Sequence, residues 1–225
     1  NDASAQSGEN IGRTMEALNY GVVKAGTSVF YANGALRTAV NTTISLSKQR
    51  AVVRSLKAQK AKKITRILAS SNDYGTRSVE AAYVAVGHTD LEADIRNLPG
   101  FKAVADYGTR SVICEEECGS VEDVRYILSP DLEPFTDAGA ATSTMVSTTG
   151  SVADVYPVMF FGQDSFGIVP LRGQGAVSPS IIPVGQKTKD DPLGQRGYVG
   201  WKSYHAALIL NQAWMARLEV ATTDL

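Results

Sequence analysis

The chain has 225 residues, of which 44% are apolar and 20% charged, and this is the composition of a globular protein that can bury a core. It contains no run of eighteen apolar residues and begins with polar residues, so the sequence predicts neither a membrane span nor a signal peptide. Because the first residue is not Met, we expect the start of the gene product to be missing.

The net charge of −1 hides a strong asymmetry along the chain. Residues 1–72 carry 11 Lys or Arg against 3 Asp or Glu, whereas residues 73–225 carry 11 against 20. Two interpretations are open. The two parts could pair within one molecule, or the basic part of one copy could dock on the acidic part of another, where complementary charge sets register and partner choice.

The first predicted element is a helix over residues 10–24, which Gly26 is placed to end. Its apolar residues recur every three or four positions, at Ile11, Met15, Leu18 and Val22. Residues 27–31 predict a short strand, and residues 32–43 predict a connection to the next helix.

A second, longer helix is predicted over residues 47–70, where Gly and Pro are absent and Ala, Leu, Lys, Gln and Arg dominate. Ser47 is a suitable N-cap, and the helix would be about 36 Å long. Its cations are Lys48, Arg50, Arg54, Lys57, Lys60, Lys62, Lys63 and Arg66. No Asp or Glu occurs between Glu16 and Asp73, so these cations lack acidic i,i+4 partners and repel one another. The helix is either a solvated face or a surface for an anionic partner.

The middle of the chain predicts short elements separated by turns. Residues 82–86 and 124–128 have the apolar composition of buried strands. Between them, Thr89 and Glu92 have the spacing of a capping box, which opens a short helix that ends before Pro99.

A polar loop follows these strands. Residues 136–153 are rich in Thr, Ser, Ala and Gly and predict a mobile surface loop. The segments 156–162 and 166–171 are separated by a short polar turn and predict a hairpin. Residues 181–184 predict a strand, and residues 185–192 a second polar loop.

The last thirty-odd residues are the most distinctive segment. An Asp-Pro turn and a Gly lead into a run rich in Val, Tyr and Trp, which predicts an extended strand. Asn211 and Gln212 break this strand before a second one that ends near Val220. Aromatic side chains on both faces suit a β arm that is covered by other elements or other subunits.

Candidate catalytic and metal-binding residues are few. The cysteines are Cys114 and Cys118, and the histidines are His88 and His205, without the paired spacing of a zinc site. We interpret the cysteines as reduced thiols of a protein made in a reducing cytoplasm. Residues 162–167 lack the G-x-S-x-G spacing of a nucleophile elbow. The sequence therefore predicts no enzyme, no cofactor and no metal.

Three blocks of the chain, in order, match one family. They are residues 83–101 (with YVAVGHTDLEADIR and PGF), residues 119–127 (GSVEDVRYI) and residues 190–215, the last being the most specific. In these blocks the chain resembles the major capsid proteins of short-tailed phages of the N-four type, which have the Hong Kong 97 phage capsid fold. The resemblance implies an α+β fold with a long spine helix, a peripheral domain with long β strands, and an axial domain with a mixed sheet flanked by helices.

The resemblance also implies a division of the chain. Residues 1–46 would lead to the spine helix, residues 47–87 would hold that helix and a peripheral strand, residues 88–193 would form the axial domain, and residues 194–225 would return as long C-terminal strands. The family carries an N-terminal arm and an extended hairpin before the spine helix. Since only 46 residues precede the predicted helix here, we expect part or all of those elements to be absent.

The function that the resemblance implies is structural. Copies would assemble as hexamers and pentamers into an icosahedral shell around packaged double-stranded DNA, bound without sequence specificity. Scaffold, portal and decoration proteins would be further partners, and no membrane would be involved. The protein would reside in the virion capsid after assembly in the bacterial host cytoplasm.

The candidate contact residues are charged. We predict that the basic helix contacts either the DNA or an acidic segment of a neighbouring copy. That segment consists of residues 115–117 together with Glu122 and Asp123. The candidates are Arg54, Lys57, Lys60, Lys62, Lys63, Glu115, Glu116 and Glu117. The alternative is a non-catalytic nucleic-acid-binding structural protein that uses the helix over residues 47–70. A pI of about 6.2 and the lack of aromatics interleaved with the cations count against that alternative.

Overall fold

The computed structural model describes residues 2–68, 76–108, 111–170 and 177–225. The chain divides into two compact units. The first, which we call the ribbon unit, consists of Asn1–Val23 and Phe166–Leu208. The second, which we call the sheet unit, consists of Lys24–Ser165 and Ile209–Leu225.

Three α-helices and twelve β-strands occur in the described ranges. The helices are α1 (Asp2–Lys24), α2 (Leu46–Ala58) and α3 (Glu92–Arg96). The strands are β1 (Val29–Tyr31), β2 (Ile64–Leu68), β3 (Thr76–Gly87), β4 (Phe101–Ala103), β5 (Glu117–Val121), β6 (Val124–Leu128), β7 (Tyr156–Phe161), β8 (Phe166–Pro170), β9 (Val177–Ile182), β10 (Tyr198–Ser203), β11 (His205–Ile209) and β12 (Met215–Val220).

The sheet unit is built on a mixed eight-stranded sheet. Seven strands follow the order β1-β12-β7-β3-β6-β5-β4, and β2 pairs with β3 beside this path. β1 runs parallel to β12 and β3 parallel to β6, whereas the other neighbours are antiparallel. β7 and β12 are buried along their whole length, as expected of middle strands that have no solvent-facing side.

Helix α2 packs on this sheet through an apolar and a polar contact. Val52 and Leu56 are buried in the same core as Tyr126 of β6. Gln49 is also buried: its Nε2 donates to the Val121 carbonyl oxygen (2.9 Å), and its Oε1 accepts from the Tyr126 hydroxyl (2.8 Å). Because a buried amide needs both kinds of partner, these bonds fix how the helix faces the sheet.

The helix predicted over residues 47–70 is wrong beyond Ala58. α2 ends there, and Lys60 takes the left-handed backbone conformation with φ of 58°. The Ala61 amide donates to the Leu56 carbonyl oxygen (3.0 Å), which is the six-to-one bond of a Schellman-type helix end. The chain then continues as β2, and residues 69 and 70 lie outside the described ranges.

Donors that are distant in sequence stabilise this early end. Trp214 Nε1 donates to the Gln59 carbonyl oxygen (3.1 Å), and the Tyr83 hydroxyl donates to the Ala61 carbonyl oxygen (2.9 Å). In a continuing helix these carbonyl groups would instead accept bonds from residues four positions later. Tertiary contacts therefore end the helix at a position that no Gly or Pro marks.

Three further details differ from prediction. β7 and β8 do not form a hairpin, because β7 pairs with β3 and β12 whereas β8 pairs with β11. The capping box at Thr89 does not form; the N-cap is His88, whose Nδ1 accepts from the Asp90 amide (3.1 Å). The N-cap of α2 is Ser45 rather than Ser47, and its side chain makes no capping bond.

Other elements are confirmed. The helix predicted over residues 10–24 lies within α1, and the strand predicted over residues 124–128 is β6. The strand predicted after Asn211 is β12, which follows a short 3-10 turn, but the single extended strand predicted before Asn211 is divided at Tyr204 into β10 and β11, which pair with different strands. Residues 136–153 contain no helix or strand, as expected of a loop, and this part of the chain is fully described. The mobility of that loop stays a prediction.

The ribbon unit consists of α1 and two two-stranded sheets. β9 pairs antiparallel with β10, with Ile182 opposite Tyr198. β8 pairs with β11, which ends at the border of the sheet unit.

Candidate charged interaction surface

The turn between β5 and β6 carries carboxylates that bind the basic segment of the same chain. Lys57 Nζ lies 2.6 Å from Asp123 Oδ2, and Lys63 Nζ lies 2.9 Å from Asp123 Oδ1. Arg50 donates to Glu122 through Nε (2.9 Å to Oε1) and through Nη2. Of the two interpretations of the charge asymmetry, pairing within one molecule therefore applies to these residues.

The ion pairs lower the pKa values of both carboxyl groups. Hydrogen bonds from Lys57, and secondarily from Lys63, lower the pKa of Asp123. A hydrogen bond from Arg50 lowers the pKa of Glu122. Because these side chains are in contact with solvent, screening limits the energy of each pair.

Replacing Asp123 by asparagine is expected to cost about 1 kcal/mol of unfolding free energy at neutral pH. The pKa of Asp123 is lowered on folding, so its pairs stabilise the fold above its unfolded pKa of about 3.9 and lose that effect as the pH falls further. The difference in unfolding free energy between wild type and Asp123→Asn should therefore shrink as the pH falls below the unfolded pKa and vanish below the lowered pKa of the folded state. Urea unfolding at neutral and acidic pH measures it, with the exposed Asp131→Asn as control. An equal difference in unfolding free energy at both pH values would contradict the pairing of Asp123 with Lys57 and Lys63.

The remaining predicted cations stay open to solvent. Arg54, Lys60 and Lys62 are exposed, and none of them forms an ion pair within the described part of the chain. Arg66 on β2 is exposed in the same way. Of the eight cations that the sequence grouped on one helix, three are thus neutralised within the subunit, Lys48 is half-buried, and Arg54, Lys60, Lys62 and Arg66 form an open set.

The three consecutive glutamates do not share one environment. The Glu117 side chain is fully buried and accepts from the Tyr107 hydroxyl (2.7 Å) and from the Ile113 amide (2.5 Å). Glu115 and Glu116 are exposed and border a groove of about 500 Å³ beside α3. Only these two remain available to a neighbouring molecule, so we leave Glu117 out of the contact set.

Sequence reasoning missed a buried ionic group at Glu117. Arg125 of β6 is almost completely buried, and its Nη1 donates to the Ser111 carbonyl oxygen (3.0 Å). The guanidinium also lies 3.8 Å from Glu117 Oε1 and 3.6 Å from Glu80 Oε2. No spacing in the sequence distinguishes Glu117 from its two exposed neighbours, since the difference comes from β5 turning it inward.

A second buried ionic group was also missed. Glu219 of β12 is fully buried and accepts from Arg37 Nε and Nη2 and from Arg217 Nε, all at 2.8 Å. The Arg37 guanidinium lies 3.5 Å from the centroid of the Phe135 ring, and Lys24 Nζ lies 4.0 Å from it. Burial lowers the pKa of Lys24. The available signal was the Arg-Leu-Glu spacing of β12, which places Arg217 and Glu219 on one face of the strand.

The thiols and histidines are not assembled into a reactive site. Burial raises the pKa of Cys114 to about 11 and also raises that of Cys118, so both thiols are protonated at neutral pH. The His88 ring caps a turn, and His205 lies in β11. Among the described residues, no group of three or more His, Cys, Asp or Glu is placed to hold a metal. No helix there is long and apolar enough to cross a membrane.

The fold is similar to that of solved phage head and capsid proteins. A chain of the head of Helicobacter pylori bacteriophage KHP40 matches with a TM-score of 0.56 and 9% identity, over 93% of this chain and 64% of that one. A chain of the cyanophage P-SCSP1u capsid matches with a TM-score of 0.52 and 13% identity, over 99% of this chain and 66% of that one. A chain of the acid-stable capsid of Helicobacter pylori bacteriophage KHP30 matches with a TM-score of 0.51 and 10% identity, over 96% of this chain and 68% of that one. This chain therefore spans about two thirds of the length of the proteins it resembles.

These likenesses define the fold class as α+β with a mixed sheet, the class of phage capsid folds. Residues 1–218 match the family described as phage capsid protein. The chain belongs to the phage capsid protein family. No curated protein matches it in sequence.

Proposed function

We propose that this chain is the shell-forming part of a major capsid protein of a tailed phage. Copies assemble as hexamers and pentamers into an icosahedral shell that encloses packaged double-stranded DNA. The observation that carries this proposal is the family match over residues 1–218, which the fold likeness supports. The protein acts by binding rather than by catalysis. It is assembled in the host cytoplasm, with scaffold, portal and decoration proteins as further partners and no membrane contact.

The ribbon unit fits a peripheral domain and the sheet unit fits an axial domain. α1 has 23 residues and is about 34 Å long, which makes it the longest helix in the described ranges and the best candidate for the spine helix. The four strands β8 to β11, of five or six residues each, would supply the β segments of such a domain. This assignment replaces the one to residues 47–70, because α2 has only 13 residues.

The open cations are the part of the charged surface that fits a neighbouring copy. Lys57 and Lys63 are neutralised within the subunit, whereas Arg54, Lys60 and Lys62 are not. We propose that these three face the exposed Glu115 and Glu116 of a neighbour. Such contacts are individually weak and screened by salt, which suits a shell that must correct errors during assembly. Contact of the same cations with DNA phosphates is the competing possibility.

Reversing two of these cations tests the contact. The variant Lys60→Glu with Lys62→Glu is expected to lower the association constant of the subunits about tenfold or more at low salt, which corresponds to about 1.4 kcal/mol, and to differ less from wild type at high salt. Adding Glu115→Lys and Glu116→Lys should restore assembly, because the attraction is then re-formed with opposite signs. Sedimentation velocity of the assembled fraction at low and high salt measures both effects.

The control is Lys48→Glu with Lys102→Glu, which makes the same charge change at two other lysines of the sheet unit. It should assemble like wild type. Normal assembly of the Lys60 and Lys62 variant would rule out the intersubunit contact. Normal shells with a reduced DNA content would instead assign these cations to the DNA.

A further inference from the structure

The turn that joins β5 to β6 has a backbone conformation that its residues disfavour. It consists of Glu122 and Asp123, because Val121 pairs directly with Val124. Glu122 lies in the left-handed region, with φ of 53°. Gly and Asn are the usual residues at such a position of a two-residue hairpin turn, and Glu is not. Strained residues of this kind concentrate at functional positions, so this turn, which we call the acidic turn, serves more than chain reversal.

The acidic turn binds cations on both sides of the end of α2. Arg50 Nε lies 2.9 Å from Glu122 Oε1. Lys57 Nζ and Lys63 Nζ lie 2.6 and 2.9 Å from the two carboxylate oxygens of Asp123. Because every one of these pairs is in contact with solvent, an anion from solution can compete for the cations.

Further cations adjoin those that the turn binds. Residues 50–66 carry seven Lys or Arg and no Asp or Glu, so four cations, the open set, remain beside the three bound ones. Arg54 shares a groove of about 210 Å³ with Arg50, Lys57 and both residues of the acidic turn. Lys63 lines a second groove, of about 500 Å³, that the same turn borders. The acidic turn therefore lies within one positively charged surface.

The chemistry of this surface fits the phosphate backbone of a nucleic-acid duplex. Among residues 50–66, all of which the structure describes, no large apolar side chain is exposed. The core of a stable protein–protein interface is built from such side chains, whereas binding to duplex phosphates requires cations alone. The segment also contains no aromatic ring on which an unpaired base could stack. Its seven cations together would therefore bind a duplex without sequence preference.

We infer that the acidic turn is an internal competitor for nucleic-acid phosphate, which holds Arg50, Lys57 and Lys63 and thereby keeps the affinity of a free subunit for duplex DNA low. The open set alone is then available, and it suits the weaker contact with a neighbouring copy. Such a turn acts against the wrong partner, because nucleic acid would otherwise compete for this surface during assembly. The inference rests on the proposed function, since it concerns the regulation of the same charged surface.

The test is duplex DNA binding by the unassembled full chain carrying Glu122→Gln with Asp123→Asn. Fluorescence anisotropy of a labelled duplex, measured over a series of salt concentrations, gives the affinity and its salt dependence. The variant should bind about tenfold or more tightly than wild type at low salt. If each freed cation neutralises one phosphate, the slope of log affinity against log salt concentration should steepen by about 2.7.

Asp106→Asn with Asp131→Asn is the matched control, because it removes two charges of the same sign at exposed positions of the sheet unit. It should bind DNA about as tightly as wild type, which separates a local effect from a change of net charge. Adding Arg50→Gln, Lys57→Gln and Lys63→Gln to the uncharged turn should return the affinity to about that of wild type, because the freed cations are then removed.

Glu122→Asn with Asp123→Gly is a second uncharged turn, made of residues that suit the left-handed conformation, and it should gain DNA affinity in the same way. Urea unfolding reports whether each variant is folded. DNA affinity that stays at the wild-type value in both turn variants would overturn the inference, whether or not self-association becomes stronger. If those variants still form shells, the proposed function stands without the inference. A gain in DNA affinity in a chain that never forms shells would support the inference and contradict the proposed function.

Discussion

Replacing Glu219 by alanine should lower the unfolding free energy by about 3–5 kcal/mol. Glu219 is the fully buried carboxylate that binds both Arg37 and Arg217. Its removal leaves the nearly buried Arg217 guanidinium with the carbonyl oxygens of Lys24 and Gly26 as its remaining partners among the bonds described. An uncompensated buried charge is far more costly than a lost surface pair, which is why this effect is expected to be among the largest in the chain.

Urea unfolding followed by circular dichroism measures the loss at neutral pH. Glu9→Ala, on the exposed surface of α1, is the control and should change stability by no more than about 0.5 kcal/mol. A loss below about 1 kcal/mol for Glu219→Ala would contradict the buried ionic group. Removing all three charged groups together with apolar replacements should cost less than Glu219→Ala alone, because no charge is then left unpaired.

Replacing Glu117 by alanine is expected to cost about 2–4 kcal/mol of stability. The change removes the acceptor of the Tyr107 hydroxyl and of the Ile113 amide, and it leaves Arg125 without a nearby buried carboxylate. Burial raises the pKa of Tyr107 to about 12, so this hydroxyl stays a donor throughout the neutral range and its loss of a partner is not relieved by ionisation.

Glu116→Ala is the matched control, since it removes an adjacent glutamate that is exposed. It should leave stability within about 0.5 kcal/mol of wild type, with any effect confined to assembly. If Glu117 were instead a contact residue, Glu117→Ala would fold as stably as Glu116→Ala and would lose assembly alone. Thermal or urea unfolding of the two unassembled variants separates these outcomes.

The parts of the fold that the sequence predicts are those set by local pattern. The largely apolar segments 82–86 and 124–128 predict the buried strands β3 and β6, because burial on both faces removes the alternation of polar residues. The periodicity of α1 predicts its helix in the same way. The pairing of β7 with β3 and β12, rather than with β8, is decided by contacts between distant segments and leaves no local signal.

The end of α2 shows the same limit. Residues 59–63 are good helix formers, yet Lys60 adopts the left-handed conformation because Trp214 and Tyr83 bind the carbonyl groups around it. Helix propensity is a weak preference that tertiary donors of this kind override. The charged contacts are predictable only in part. The sequence indicates which segments attract each other, but not that Asp123 pairs with Lys57 of the same subunit.

Electron microscopy of the expressed full-length protein, with and without the phage's own scaffold protein, tests the central claim most directly. The account predicts closed icosahedral shells, or capsomers that convert to shells when scaffold is added. Particles that remain monomeric or form only small oligomers, even with scaffold present, would contradict a shell-forming role for this chain.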